Sequence, residues 1–245
     1  MWEIISEHLP SLLIGQYPHG PLGGLALTLI LSVLGLALAF PLSIALALCR
    51  TSPFALLRLP STAIVYVVRG IPLVMLVFWS YFLVPGLIGE KVSAFTTLVV
   101  TLVIYQAAYM SEIVRAGIEA LPRGQVEAAR SLGLGYWRTL SQVVLPQALY
   151  NMLPTLISQF ISTIKETSIG YVISVHELTH SANQVNAALL TRPLEVFAML
   201  SLIYFIVCYS LRKCAYIAEM RIQRRRAGIT VSPRGNSHDP VLQGQ

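Results

Sequence analysis

The sequence predicts an all-α membrane protein, a bundle of five transmembrane helices, and three observations predict it. Mean hydropathy is +0.68. Apolar residues make up 55% of the 245 and charged residues only 11%, against about 25% charged in an average soluble domain. The charges are also concentrated in short segments wedged between long apolar runs. A lipid interior offers no water to backbone N–H and C=O groups, so apolar runs of this length form helices. Little chain is left over for a second folded soluble domain.

The first span is 25–49, which carries no charge until Arg50. As a helix it is about 37 Å long, enough for a hydrocarbon core of roughly 30 Å with some tilt. Pro41 lies inside it and should kink it. Further spans are predicted at 63–86, 94–114, 147–173 and 194–217. An odd number of crossings puts the termini on opposite sides of the membrane.

Orientation follows from Lys and Arg, because short positively charged loops stay cytoplasmic. Arg50, Arg58 and Arg69 flank the first connection, and Arg115, Arg123, Arg130 and Arg138 surround the third. Arg212, Lys213, Arg221, Arg224, Arg225, Arg226 and Arg234 crowd the C-terminal end, whereas the opposite side holds only Lys91 and Arg192. The N-terminus is therefore expected outside and the C-terminus inside, and the net charge of +6 reads as a topology signal rather than a nucleic-acid surface. This divides the chain into an outer lead-in at 1–24, a transmembrane domain at 25–217 with a cytoplasmic loop at 117–146, and a basic tail at 218–245 suited to anionic lipid. Glu3 and Glu7 in place of a basic n-region argue against a removable signal peptide. Cys49, Cys208 and Cys214 sit in or at the ends of spans and read as small apolar packing residues.

One catalytic-looking motif stands out. His176-Glu177-Leu178-Thr179-His180 matches H-E-x-x-H, in which two histidines one turn apart hold zinc and the glutamate activates water. A catalytic zinc needs a third protein ligand, and the sole aspartate of the chain, Asp239, lies in the tail. The segment is expected to be a polar loop or short outer helix. An intramembrane zinc metalloprotease using His176, Glu177 and His180 is the different-class alternative.

The polar segment between the third and fourth spans is the most informative. Leu121-Pro122-Arg123-Gly124-Gln125 can turn the chain at the surface, Glu127-Ala128-Ala129 starts a short helix with a smooth face, and Gly133 and Gly135 let the chain double back. Tyr136 to Leu145 is a second amphipathic piece, and Pro146 suits the first turn of the next span.

Glu127, Ala128, Ala129, Gly133, Leu145 and Pro146 together resemble the EAA loop of bacterial ABC-importer permeases, with Val143 in place of the commoner isoleucine. Arg69-Gly70-Ile71-Pro72-Leu73 resembles the R-G-x-P-L entry to the second span in permeases of the polar amino-acid uptake family. Ala108-Tyr109 through Glu112 and Arg115 resembles their A-Y-x-x-E-x-x-R run, and Lys165-Glu166-Thr167-Ser168 their K-D-T-S element, with glutamate for the usual aspartate or asparagine. The likeness covers about 20–217. It implies a non-enzymatic subunit of the bacterial inner membrane that imports amino acids. Its implied partners are a cytoplasmic ATPase dimer docked on 122–146, a second permease subunit, identical or similar, and a periplasmic or surface amino-acid-binding protein. This chain would need no cofactor of its own, ATP and Mg being bound by the ATPase.

Indeed no G-x-x-x-x-G-K-[ST] phosphate loop is present. For substrate, ionisable groups in a span face a cavity or the bundle interior. Gln159 and Glu166 lie seven residues apart, on one helix face. With Gln106 they are predicted to line the pathway, Glu166 receiving the substrate ammonium and Lys165 facing elsewhere or attracting carboxylate. Glu112 and Arg115 are spaced for a structural ion pair, and Arg69 and Pro72 mark the inner interface and the entry to the second span. Similarity at 69–85 and 170–178 to glutamate and aspartate permeases tilts the cargo that way, with basic or neutral polar amino acids as the alternative.

Overall fold

The computed structural model describes residues 2–230. Its helices are α1 (Trp2–Ile14), α2 (Gly24–Thr51), α3 (Ala55–Gly70), α4 (Leu73–Ile88), α5 (Ala94–Glu119), α6 (Arg123–Ser131), α7 (136–151), α8 (Leu153–Glu166), α9 (Leu178–Leu189) and α10 (Pro193–Thr230). Among the described residues the strand-like pairings are two isolated bridges, Gly15 with Leu22 and Gly24 with Glu177.

The centre of the fold is α2 packed along α5. Their contact is close because small residues line it: a Cβ added at Gly35 would stand 3.4 Å from the Leu102 side chain. Hydroxyls buried in this region satisfy themselves on their own helix. Ser32 donates to the Thr28 carbonyl at 2.7 Å and Thr101 to that of Thr97 at 2.8 Å, which spares polar groups from facing hydrocarbon unpaired. Apolar clusters flank this pair at both ends. Leu31, Leu73, Val77, Leu98 and Leu102 pack near one end, and Ala47, Val114, Ala148 and Met152 near the other.

Among the described residues three helices are long and apolar enough to cross a membrane: α2, α5, and α10 as far as Ile217. The expected second and fourth spans are broken, which corrects the picture of five continuous helices. At 63–86 the chain bends by 102° between α3 and α4. Pro72 has no N–H to extend α3, and its ring disfavours helical backbone at the residue before it; Ile71 is accordingly extended, with φ −103° and ψ 133°. At 147–173 the break falls at Met152, with φ −96° and ψ 1°, two residues before Pro154. After α8 the last stretch, Thr167–Ile173, tightens into 3₁₀ turns.

Prolines also account for two widened turns. The helix expands at Trp79–Leu83, just before Pro85, and at Leu140–Val144, just before Pro146. A proline leaves a carbonyl one turn back without its donor, and a π-type turn absorbs the mismatch.

Two boundaries also shift at the ends of the chain. Part of the expected lead-in at 1–24 is helix α1, which buries Leu12 against Leu178, Ala182 and Val196 of α9 and α10. The first part of the expected tail is a continuation of α10 up to Thr230, while the tail residues 231–245 lie outside the described residues.

Candidate functional site

Gln106, on α5, is fully buried. Its side-chain amide links the two polar residues predicted to share its surroundings: Gln159 Nε2 donates to Gln106 Oε1 at 2.7 Å, and Gln106 Nε2 in turn donates to Glu166 Oε2. Gln159 and Glu166 come from the same face of α8, two turns apart, as their spacing requires. The result is a directed chain, amide to amide to carboxylate, bridging α5 and α8. A carboxylate has two oxygens and can accept a second donor beside the Gln106 amide. Lys165 does not join it. Successive residues point about 100° apart on a helix, so Lys165 projects from the other side of α8 into an open groove shared with Arg212 of α10.

The expected Glu112–Arg115 pair forms, but as part of a larger node. Glu112 Oε2 is 2.6 Å from Arg50 Nη1 at the end of α2 and 3.4 Å from Arg69 Nη1 at the end of α3, while Oε1 accepts from Arg115. Arg115 also reaches Glu119. Arg69 lies over the Tyr109 ring at 5.2 Å, and Arg50 over Tyr66 at 5.9 Å. One carboxylate thus ties α2, α3 and α5 together beside the Pro72 bend. Spacing along the chain could find the local pair only; Arg50 is 62 positions away.

The polar segment folds as a compact, self-contained unit. Helix α6 carries Glu127, Ala128 and Ala129, with Ala129 buried and Glu127 and Ala128 exposed. Gly133 ends it at φ +84°, a conformation that favours glycine. Its N–H bonds the Arg130 carbonyl at 3.0 Å and the next N–H, from Leu134, bonds that of Ala129 at 3.2 Å, a Schellman closure. The chain reverses through Gly135 into α7, where Leu145 and Pro146 follow the widened turn. Two large apolar side chains that sequence reasoning did not single out stand exposed on this unit: Leu132 at 84% and Trp137 at 59%. Their position beside the glycine reversal was the available signal.

Glu177 has a structural task. It is fully buried and caps α9, with Oε2 accepting from the Thr179 N–H at 2.8 Å and Oε1 from the His180 N–H at 2.9 Å. The His176 carbonyl accepts from the Gly24 N–H at 2.9 Å, and the Thr28 hydroxyl accepts from the Leu178 N–H at 3.1 Å. The motif therefore docks the start of α9 on the start of α2. Burial pushes the Glu177 carboxyl up to about 7, against the pull of these amides. Among the described residues no third His, Cys, Asp or Glu joins the two histidines, whose rings pack edge to face at 4.6 Å.

An all-helical, strongly apolar bundle with an exposed helix-reversal-helix unit among the described residues defines a polytopic membrane protein. The chain belongs to the family of binding-protein-dependent transport system inner membrane components, which it matches over residues 39–224. It is 38% identical over 208 residues to an inner membrane amino-acid ABC transporter permease, YhdY, of Escherichia coli K12, covering 83% of this chain but only 57% of that protein. It is 35% identical to a probable glutamine ABC transporter permease, GlnP, of Bacillus subtilis, covering 85% of this chain and 98% of the relative. The crystal structure of an amino acid ABC transporter with histidines superposes with a TM-score of 0.75 at 34% identity, over 81% of this chain and 92% of that one. The protein is accordingly a multi-pass protein of the inner membrane.

Proposed function

We propose that the chain is the membrane-spanning subunit of an ATP-binding-cassette importer for polar amino acids, driven by a partner ATPase. The observation that carries the reading is the closed unit of α6, Gly133 and α7, which offers Ala128, Leu132 and Trp137 as a rigid, partly apolar knob on an otherwise polar segment. In this reading five crossings are made by α2, the bent α3–α4 pair, α5, the broken stretch 136–173 and α10, with the N-terminus outside and the C-terminus inside. The knob seats in a groove of a cytoplasmic ATPase dimer, which binds ATP and Mg. A second permease subunit completes the pathway, and a binding protein delivers cargo from outside. Closure of the ATPase on ATP moves the knob and, through α5 and α7, swings the helices to outward access; hydrolysis resets them.

Within the pathway, Glu166 receives the cargo ammonium while Gln106, itself held by Gln159, keeps the Glu166 carboxylate in place. Glutamate and aspartate are the favoured cargo, from the similarity at 69–85 and 170–178, with basic or neutral polar amino acids as the second reading. Reconstitution with the co-purifying ATPase and binding protein tests all of this. ATP-dependent uptake of labelled glutamate is expected, with loss of ATPase association when Glu127 or Gly133 is replaced. Transport by the chain alone, with no ATPase bound, would overturn the reading in favour of a free-standing carrier.

A further inference from the structure

Lys165 and Arg212 face one another across an open groove of about 350 Å³ between α8 and α10. Ser162 and Tyr216 add hydroxyls to its wall, and Ile157 and Ile161 form an apolar floor. No carboxylate lines this groove, and among the described residues neither cation is ion-paired. Glu166, the nearest acid along the chain, turns one oxygen to Gln106 on another face of α8, so its charge acts on Lys165 without forming an ion pair. Two cations without an ion-pair partner in a groove between apolar helices are costly, and they suit an anion from outside the chain.

We infer that the groove binds the headgroup phosphate of an anionic glycerophospholipid. Depth supports a lipid source. Arg212 follows Pro193, the first residue of α10, by 19 positions, so at 1.5 Å per residue it stands about 28 Å along the helix, where a hydrocarbon core of roughly 30 Å gives way to headgroups. The guanidinium can grip a phosphate through two parallel N–H bonds while Lys165 supplies a point charge from deeper in the groove. Ile157 and Ile161 then lie where an acyl chain would run. The assignment to the inner leaflet rests on the inward C-terminus proposed above. Lipid held here would wedge α8, which carries Gln159 and Glu166, against α10.

The transporter complex, purified in mild detergent with mixed lipid, should retain phosphatidylglycerol at least 5-fold over phosphatidylcholine in native mass spectrometry. The doubly substituted Lys165→Gln/Arg212→Gln protein should fall to the phosphatidylcholine level, whereas Lys213→Gln, whose ammonium instead lies over the Tyr209 ring, should retain the lipid. Equal retention of both lipids by the parent protein, or undiminished phosphatidylglycerol in the double variant, overturns the inference. Displacement of the lipid by millimolar inorganic phosphate or free glutamate would overturn it in favour of a soluble anion. A protease-sensitive tag after Gln245, probed in inside-out vesicles, scores the orientation separately: cleavage by added protease places the C-terminus and the site at the inner leaflet, whereas lipid loss in the double variant with a tag protected in these vesicles would keep the site and move it to the outer leaflet.

Discussion

Arg50 Nη1, near the end of α2, donates to Glu112 Oε2 of α5 at 2.6 Å. The Arg50 side chain is only 4% exposed and Glu112 25%, so the bond works in a partly dry environment where removing one partner strands the other. Glu112→Gln would leave Arg50, Arg69 and Arg115 facing one another without their shared counter-charge. Thermal unfolding in detergent should report a loss of roughly 2–4 kcal/mol. Glu119→Gln, at a 57% exposed acid, should cost under about 1 kcal/mol. Equal effects of the two would dismiss the node as a surface feature.

The amide chain makes an ordered prediction for transport. Glu166→Gln should raise the KM for amino acid at least tenfold, about 1.4 kcal/mol, because the cargo ammonium loses its carboxylate. Gln106→Leu should do the same and also lower stability by about 1–3 kcal/mol, since Glu166 and Gln159 both lose a buried partner. Unchanged KM in both variants removes this chain from the pathway.

In the coupling unit, Gly133→Ala places a Cβ at φ +84° and should destabilise the reversal by about 1 kcal/mol, uncoupling ATP hydrolysis from uptake. Leu132→Ala/Trp137→Ala removes mostly exposed surface, with the edge-to-face contact of Trp137 on Tyr136 lost as well. Its melting temperature should stay within a degree or two while ATPase co-purification falls severalfold; retained association would mean that the knob docks by another face.

Glu177 gives a pH signature. Its folded pKa of about 7 lies above the ordinary 4.5, so the folded protein holds a proton that the unfolded chain releases. Its contribution is fully present below about pH 4.5 and is lost as pH rises to 7, with a slope of up to about 1.4 kcal/mol per pH unit. Melting temperatures across this window should fall with pH in the parent protein and change less in Glu177→Gln. Parallel curves would show that the cap titrates normally.

Much of this was legible in the chain because hydrophobic length and charge placement are one-dimensional signals. The three uninterrupted helices emerged from apolar runs, the α6 reversal from Gly133 and Gly135, and the shared face of Gln159 and Glu166 from a seven-residue spacing. The broken second and fourth spans were not, since a proline in an apolar run signals a kink without its angle; the 102° at Ile71 depends on what α3 and α4 pack against. The zinc-like motif shows the same limit, because a glutamate that caps a helix and one that activates water occupy the same letters.

By itself the sequence determined a helical membrane bundle, its polar segment and the family likeness, because those follow from composition and local spacing. Only the tertiary structure decided which charges meet. It gave Glu112 to Arg50 and Arg69, turned Gln106 toward Glu166, and separated Lys165 from its neighbour to face Arg212. Those pairings join residues 43 to 62 positions apart, across helices whose relative rotation is fixed by the close packing of small residues such as Gly35 against Leu102.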